Sequence, residues 1–182
     1  MSAMTTLPLR PDGWTVEDLD LLPDDPPFRY ELVDGTLLVS PPPPNAHNLA
    51  ANELSHRLFA VLDRGWVVLT PGALEFGLRD WRQPDLLVVA RAALTKKYTA
   101  PGDARLAVEV MSPSSVSTDR LVKPNQYAAA GIEHFWCYEP AVGVLRTHVL
   151  DGGVYRETGR YTDEVAIEQP VSLRFRLADL QT

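Results

Sequence analysis

Two carboxylates stand where strands seldom keep them. Glu109 lies in "LAVEVMS" between Val108 and Val110, and Asp85 opens "DLLVVA" directly after Pro84. Runs that are apolar on both sides of the pleat belong to strands covered on both faces, and an acid there is almost never buried without a partner. Residues 85, 87 and 89 share one face of a strand, as do 107, 109 and 111. Pairing of the two runs therefore brings the acids together if those faces coincide. Two such carboxylates repel unless a proton or a cation lies between them, and oxygen donors of this kind suit Mg2+ or Mn2+. The competing account is structural: Asp85 caps a turn after Pro84, and Glu109 pairs with Arg105 or Arg120. A third acid, Glu31, sits between Tyr30 and Leu32 in "YELVDG", where an exposed place on a half-wet strand also explains it. Asp119, Lys123 and Tyr127 recur at i, i+4 and i+8 and can share a helix face, a spacing equally suited to an ordinary surface pair.

Other chemistries lack their signatures: the sequence holds no Gly-rich nucleotide loop, no Cys/His zinc spacing and no nucleophile elbow. His56, His134 and His148 show no ligand spacing, and Cys137 is the only cysteine, which argues against a disulfide framework. The net charge of −7 weighs against a protein that coats nucleic acid. Its distribution softens that exclusion. Residues 79–123 hold eight basic side chains (Arg79, Arg82, Arg91, Lys96, Lys97, Arg105, Arg120, Lys123) against five acidic ones, and this basic third is the one that contains Glu109. No apolar run is long enough to span a bilayer, and the N-terminal residues lack the basic-then-apolar order of an export signal. A soluble, cytoplasmic protein without a membrane partner is expected.

The elements that must position these residues follow from local pattern. A chain of 182 residues can bury one sizeable core, and one domain over 15–182 is expected after a flexible segment at 1–14. Thr15 and Asp18 form a capping-box start for a short helix. Asp34–Gly35 between two apolar runs signals a tight hairpin, with strands at about 28–33 and 36–40. Four prolines, 41–44, end the second strand. A helix capped by Asn45 then spans 46–64, with Leu54, Leu58, Val61 and Leu62 along one side and Gly65 closing it. Strands follow at "WVVLT", "ALEFGL", "DLLVVA" and "LAVEVMS". A helix over 118–130 comes next, its first half broken at Lys123–Pro124, and "HFWCYEP", "VLRTHVL" and "VSLRFRLADL" are the last strands. The order implies a mixed sheet flanked by helices, the long helix on one face and its partner on the other.

The ordered set "TVEDLDLLP", "YELVDGTLLVSPPPPNAH", "QPDLLVV", "LAVEVMSPSS" and "DRLVKPNQYAAAGIEHFWCYEP" resembles the Uma-two family of restriction-endonuclease-like proteins, a branch of the PD-(D/E)XK nuclease superfamily. The resemblance covers about Thr15 to Leu180. It implies an α/β (α+β) fold of the restriction endonuclease type, with a central mixed sheet, flanking helices and an N-terminal β-hairpin. It also implies hydrolysis of DNA phosphodiester bonds with Mg2+ or Mn2+. Carried onto this chain, Asp85 is the superfamily's Asp, Glu109 the acid of the next strand, the Val110 carbonyl a further metal ligand, and Glu31 the extra acid of the hairpin, so that Asp85, Glu109 and Glu31 are all expected to bind metal. The superfamily's Lys should stand two residues after Glu109, where this chain has Met111. Lys123, in the following helix, is the candidate for a migrated lysine. By the same resemblance His47 follows the proline-rich stretch and is a candidate substrate contact, although a structural or capping histidine is the simpler account. Ser112 and Ser114 could offer hydroxyls to a phosphate, and Arg120 is a further candidate substrate contact. A homodimer, with an interface from the strands after 134, is expected of an enzyme that cuts both strands. A non-catalytic binding module on the same fold is the rival reading, favoured by Met111 and by the acidic net charge.

Overall fold

The computed structural model describes residues 10–22, 28–111 and 122–181. A 3-10 turn, Val16–Leu21, precedes strands β1 (Arg29–Val33) and β2 (Thr36–Ser40) and helix α1 (Asn45–Val61). Strands β3 (Trp66–Leu69), β4 (Leu74–Gly77), β5 (Asp80–Arg82), β6 (Leu86–Ala90) and β7 (Ala104–Val110) come next, before helix α2 (Lys123–Ala129). The remaining strands are β8 (His134–Glu139), β9 (Val144–Asp151), β10 (Val154–Tyr161), β11 (Glu164–Ile167) and β12 (Leu173–Arg176).

Six strands make the central sheet in the order β10-β9-β8-β7-β6-β3. Within it β7 and β8 run parallel and the other neighbours are antiparallel. A parallel pair needs a crossover, and α2 lies in the connection between β7 and β8. A smaller sheet, β2-β1-β5-β4, carries the hairpin, and β11 with β12 forms a separate ribbon. The mixed sheet, its helices and the N-terminal hairpin match the architecture expected from the sequence.

Period-two alternation divides the central strands between two cores. Leu86, Val88, Leu106 and Val108 turn to one face, where Leu54 and Leu58 of α1 close over them together with Val165 and Ile167 of β11. Leu87, Val89, Ala107 and Cys137 turn to the other face, against Tyr127 of α2 and Ile132 just beyond it. A third cluster under the small sheet joins Trp14, Leu32 and Trp81. Trp14, on the N-terminal side of the boundary placed at residue 15, is buried, and its N–H donates to the Gly35 carbonyl.

The hairpin turn is the one its sequence demands. Asp34 and Gly35 both have positive φ, 47° and 76°, and β1 and β2 pair in register from Val33↔Thr36 to Arg29↔Ser40. Thr15 and Asp18 do form a capping box, but the element it opens is a 3-10 turn rather than an α-helix. Helix α1 begins at Asn45 instead of being capped by it: the cap residue is Pro44, with no side-chain cap bond. It also stops at Val61, short of the expected Arg64. Leu62 is extended, and Asp63 Oδ1 accepts the Gly65 N–H at 2.7 Å, a local turn that competes with further helix. Of the helix expected over 118–130, residues 118–121 lie outside the described residues. Pro124 falls in the first turn of α2, where a missing N–H costs least, and Gly131 closes the helix end with φ 82°. Among the described residues no helix is long and apolar enough to cross a membrane.

Candidate active site

Asp85 heads β6 and Glu109 stands near the end of β7. The register Leu87↔Ala107 puts residues 85 and 109 in phase, so both acids belong to the α2 side of the sheet. Both are deeply buried: Asp85 is 6% exposed and Glu109 1%.

Asp85 is held by two cationic or donor side chains and one backbone group. Arg29 Nη1 donates to Oδ1 at 2.6 Å, His47 Nε2 lies 2.9 Å from the same oxygen, and the Val110 N–H donates to Oδ2 at 2.7 Å. The last bond ties the two acids together, because Val110 follows Glu109 on the same strand. Burial by itself raises the Asp85 carboxyl. The His47 hydrogen bond, the charges of Arg29 and His47, and the Val110 N–H outweigh it and hold the group below its usual range. Asp85 is therefore an anion at neutral pH.

Glu109 finds its partners on α2. Tyr127 donates its hydroxyl to Oε1 at 2.6 Å, and Lys123 Nζ donates to Oε2 at 3.2 Å. The two donors sit at i and i+4 on the helix, which stacks them on one face. The expectation that Arg105 pairs with Glu109 does not hold; its guanidinium lies over the Trp66 ring, 5.2 Å from the centroid. Burial first, then the charges of Glu109 and Glu31, push the Tyr127 phenol well above its ordinary value, so it stays a donor.

Glu31 completes the cluster from the small sheet. Its Oε1 lies 3.1 Å from Lys123 Nζ and accepts the Gln83 N–H at 3.2 Å, while Oε2 accepts from Arg82 Nη1 at 3.2 Å. Lys123 thus bridges Glu31 and Glu109. Arg82 is 1% exposed, and its Nε donates to Gln126 Oε1 on α2 at 2.7 Å. Among the described residues, Asp85, Glu31 and Glu109 face the side-chain cations Arg29, Arg82 and Lys123.

Among the described residues no group of three or more His, Cys, Asp or Glu side chains converges to hold one ion. The donor chemistry nevertheless fits a hard divalent cation, since Mg2+ is usually held by one or two carboxylates together with waters and substrate phosphate. Asp85 and Glu109, linked through Val110, provide two such carboxylates. Glu31 is committed to Lys123, Arg82 and the Gln83 N–H.

The structure therefore gathers Asp85, Glu109, Glu31, Lys123, His47 and Val110 in one place. Ser112, Ser114, Arg120 and Asp119 lie outside the described residues. Arg29, Arg82 and Gln126 also belong to the cluster and were not anticipated. One signal was available: Arg29 and Glu31 alternate on β1, so they leave the hairpin on the same side.

The sequence model of the Uma2 family, described as "Putative restriction endonuclease", matches residues 16–179. The chain belongs to the Uma2 family. A crystal structure described as a "putative nuclease belonging to DUF820" from Anabaena variabilis is similar with a TM-score of 0.72 at 17% identity, over 91% of this chain and 96% of that one. At that identity the likeness speaks for the fold, which is the restriction-endonuclease-like α/β (α+β) fold expected from the sequence. No curated protein matches. Membership of the Uma2 family supports a nuclease and hence a nucleic acid substrate.

Proposed function

We propose that this Uma2 protein is a divalent-metal-dependent endonuclease that hydrolyses phosphodiester bonds of DNA. The observation that carries the proposal is the placing of Asp85 and Glu109, in phase on neighbouring strands, with Lys123 against Glu109 and bridging to Glu31. Asp85 and Glu109, with the Val110 carbonyl, would hold Mg2+ or Mn2+. When bound, such an ion lowers the pKa of a water and polarises the phosphate.

The chain's own groups supply the rest. Arg29 and the Val110 N–H keep Asp85 ionised and fixed in orientation. Tyr127 holds Glu109 by one oxygen and leaves Oε2 facing Lys123. The Lys123 ammonium can orient the attacking water or stabilise charge that grows in the transition state. It does so from a helix, which is why Met111, just beyond β7 at the superfamily's lysine position, can be apolar and buried. Three acids alone would repel a phosphate; Arg29, Arg82 and Lys123 remove that obstacle. A twofold dimer would present two such sites to the two strands of a duplex, and β10, the outer strand of the central sheet with Val154 exposed, is an available edge for it.

The test is cleavage of supercoiled DNA by purified protein with Mg2+, Mn2+ or EDTA, wild type beside Glu109→Ala and Lys123→Ala. Metal-dependent nicking lost in both variants is the expected result. Nicking that persists in both would place the activity elsewhere. The pairing of the acids with cations of the same chain favours one rival, a non-catalytic binding module. Thermal unfolding separates the two readings: Mg2+ or Mn2+ should raise Tm in the wild type and not in Asp85→Ala, because a ligand that binds only the native state stabilises it.

A further inference from the structure

The Asp85 end of the site opens into a pocket of about 230 Å3. Besides Asp85 itself, its lining includes Pro43 just before α1, His47, Asn48 and Asn52 on the first turns of that helix, and Pro71 beyond β3. The pocket is smaller than the ~300–1,000 Å3 of sites that take drug-sized ligands. It cannot admit a duplex, but it has room for a single planar ring system.

Its lining joins side-chain amides to apolar surface. Asn48 and Asn52 stand at i and i+4, so their amides rise from one face of α1. Each amide offers a donor pair and an acceptor, which is what the edge of a base requires. Pro43 and Pro71 add apolar surface for the face of the ring. His47 is 8% exposed, and with Nε2 turned to the Asp85 carboxylate its Nδ1 is buried without a hydrogen-bond partner among the described residues. A buried polar atom left without a partner is costly, and a ligand that brings a polar atom to pair with it would relieve that cost.

We propose that this pocket receives one unstacked base of the strand being cut. The substrate is then single-stranded nucleic acid, or a duplex with an unpaired nucleotide at the cut. The proposal rests on the reading of Asp85 and Glu109 as the phosphodiester site: a nucleotide whose phosphate lies at those acids reaches the pocket with its own base, because Asp85 belongs to both. Extracting a base from a stack costs least where it is already unpaired, so strandedness becomes the selective feature.

Two measurements separate the pocket from the nuclease reading. The first is a titration of 15N-labelled protein with deoxynucleoside 5′-monophosphates, reading the side-chain amide resonances of Asn48 and Asn52. Both should shift in the wild type, and the Asn48 resonance should fail to shift in Asn52→Trp, a filling substitution at an exposed helix position whose fold circular dichroism checks. Unmoved resonances in the wild type at saturating nucleotide would overturn the proposal whether or not any DNA is cut. The second compares cleavage of a perfect duplex, the same duplex with a one-nucleotide bulge, and the single strand. A preference of about tenfold or more for the unpaired substrates, lost in Asn52→Trp, is expected from the worth of one stacked base. Equal cleavage of all three would sink the base pocket and keep the nuclease. Amide shifts without cleavage of any substrate would keep the pocket and sink the nuclease.

Discussion

The two faces of the central sheet are built from the same strands and differ by one residue of phase. On the α1 side, β6 and β7 present Leu86, Val88, Leu106 and Val108, and Leu54 and Leu58 close over them. On the α2 side the same strands present aliphatics in one part, Val89 and Ala107 among them, and then Asp85 and Glu109. Apolar burial stabilises at roughly 25 cal/mol per Å2. Buried ion pairs often return less than their desolvation costs. Both faces bury apolar side chains; the second also holds a charged arrangement that folding alone does not require, which argues for a function there.

The largest expected effect separates the faces by activity. Glu109→Ala should lower cleavage by about 100-fold or more, the scale on which preorganised electrostatic groups act, whereas Leu58→Ala should leave the rate per folded molecule unchanged. Equal losses in the two variants would erase the distinction. Stability gives the converse contrast: Leu58→Ala should cost ~2–5 kcal/mol in urea unfolding, as expected for a fully buried leucine.

A finer probe is Tyr127→Phe, which keeps the ring in the α2 core and removes only the hydroxyl on Glu109. Leaving that buried oxygen with one donor fewer should cost about 1–3 kcal/mol, read from the shift of the urea midpoint. The same variant should also lower the rate of cleavage at saturating substrate, since Glu109 is then less firmly oriented. The smallest effect lies far from the acids. Burial lowers the His148 pKa from the ordinary 6.5, against the opposing pull of the Phe135 carbonyl, and burial lowers His134 likewise. Below the ordinary value the unfolded chain binds more protons than the native one, so stability present at pH 7 is lost as pH falls through the depressed values. His148→Gln should flatten the decline of Tm between pH 7 and 5 in part, with His134 carrying the remainder.

Much of this contrast was legible in the sequence because it broke a pattern. An acid in an apolar strand stands out, so Asp85 and Glu109 were visible, but the register that puts them in phase comes from the pairing of β6 with β7. The hairpin was visible because Asp34–Gly35 admits few other turns. Lys123 came from the family resemblance; spacing alone left it an ordinary surface cation, and the structure places it on Glu109 and Glu31. Arg29 and Arg82 were not legible. An arginine in an edge or short strand reads as exposed, and its burial depends on the small sheet packing against α2, a contact between segments more than forty residues apart. β5 and β10 were missed for a related reason: three residues carry no period, and β10 exposes most of its side chains, so neither face has an apolar signature; β11, four residues long, is too short for its Val165 and Ile167 alternation to stand out. The end of α1 was misplaced because an Asp63 side-chain turn outweighed helical propensity.

Helix α2 supplies Lys123, Gln126 and Tyr127, and through them it reaches Glu31, Arg82 and Glu109 at once. All three side chains project from one helix of seven residues, so a movement of that helix moves them together. A rotation of that helix by a fraction of a turn would withdraw the ammonium, release the tyrosine and free the arginine together, which gives the molecule an all-or-none character that point substitutions would not reveal. Anything that displaces this one helix, from a partner to an engineered crosslink, would act as a throttle on the whole site.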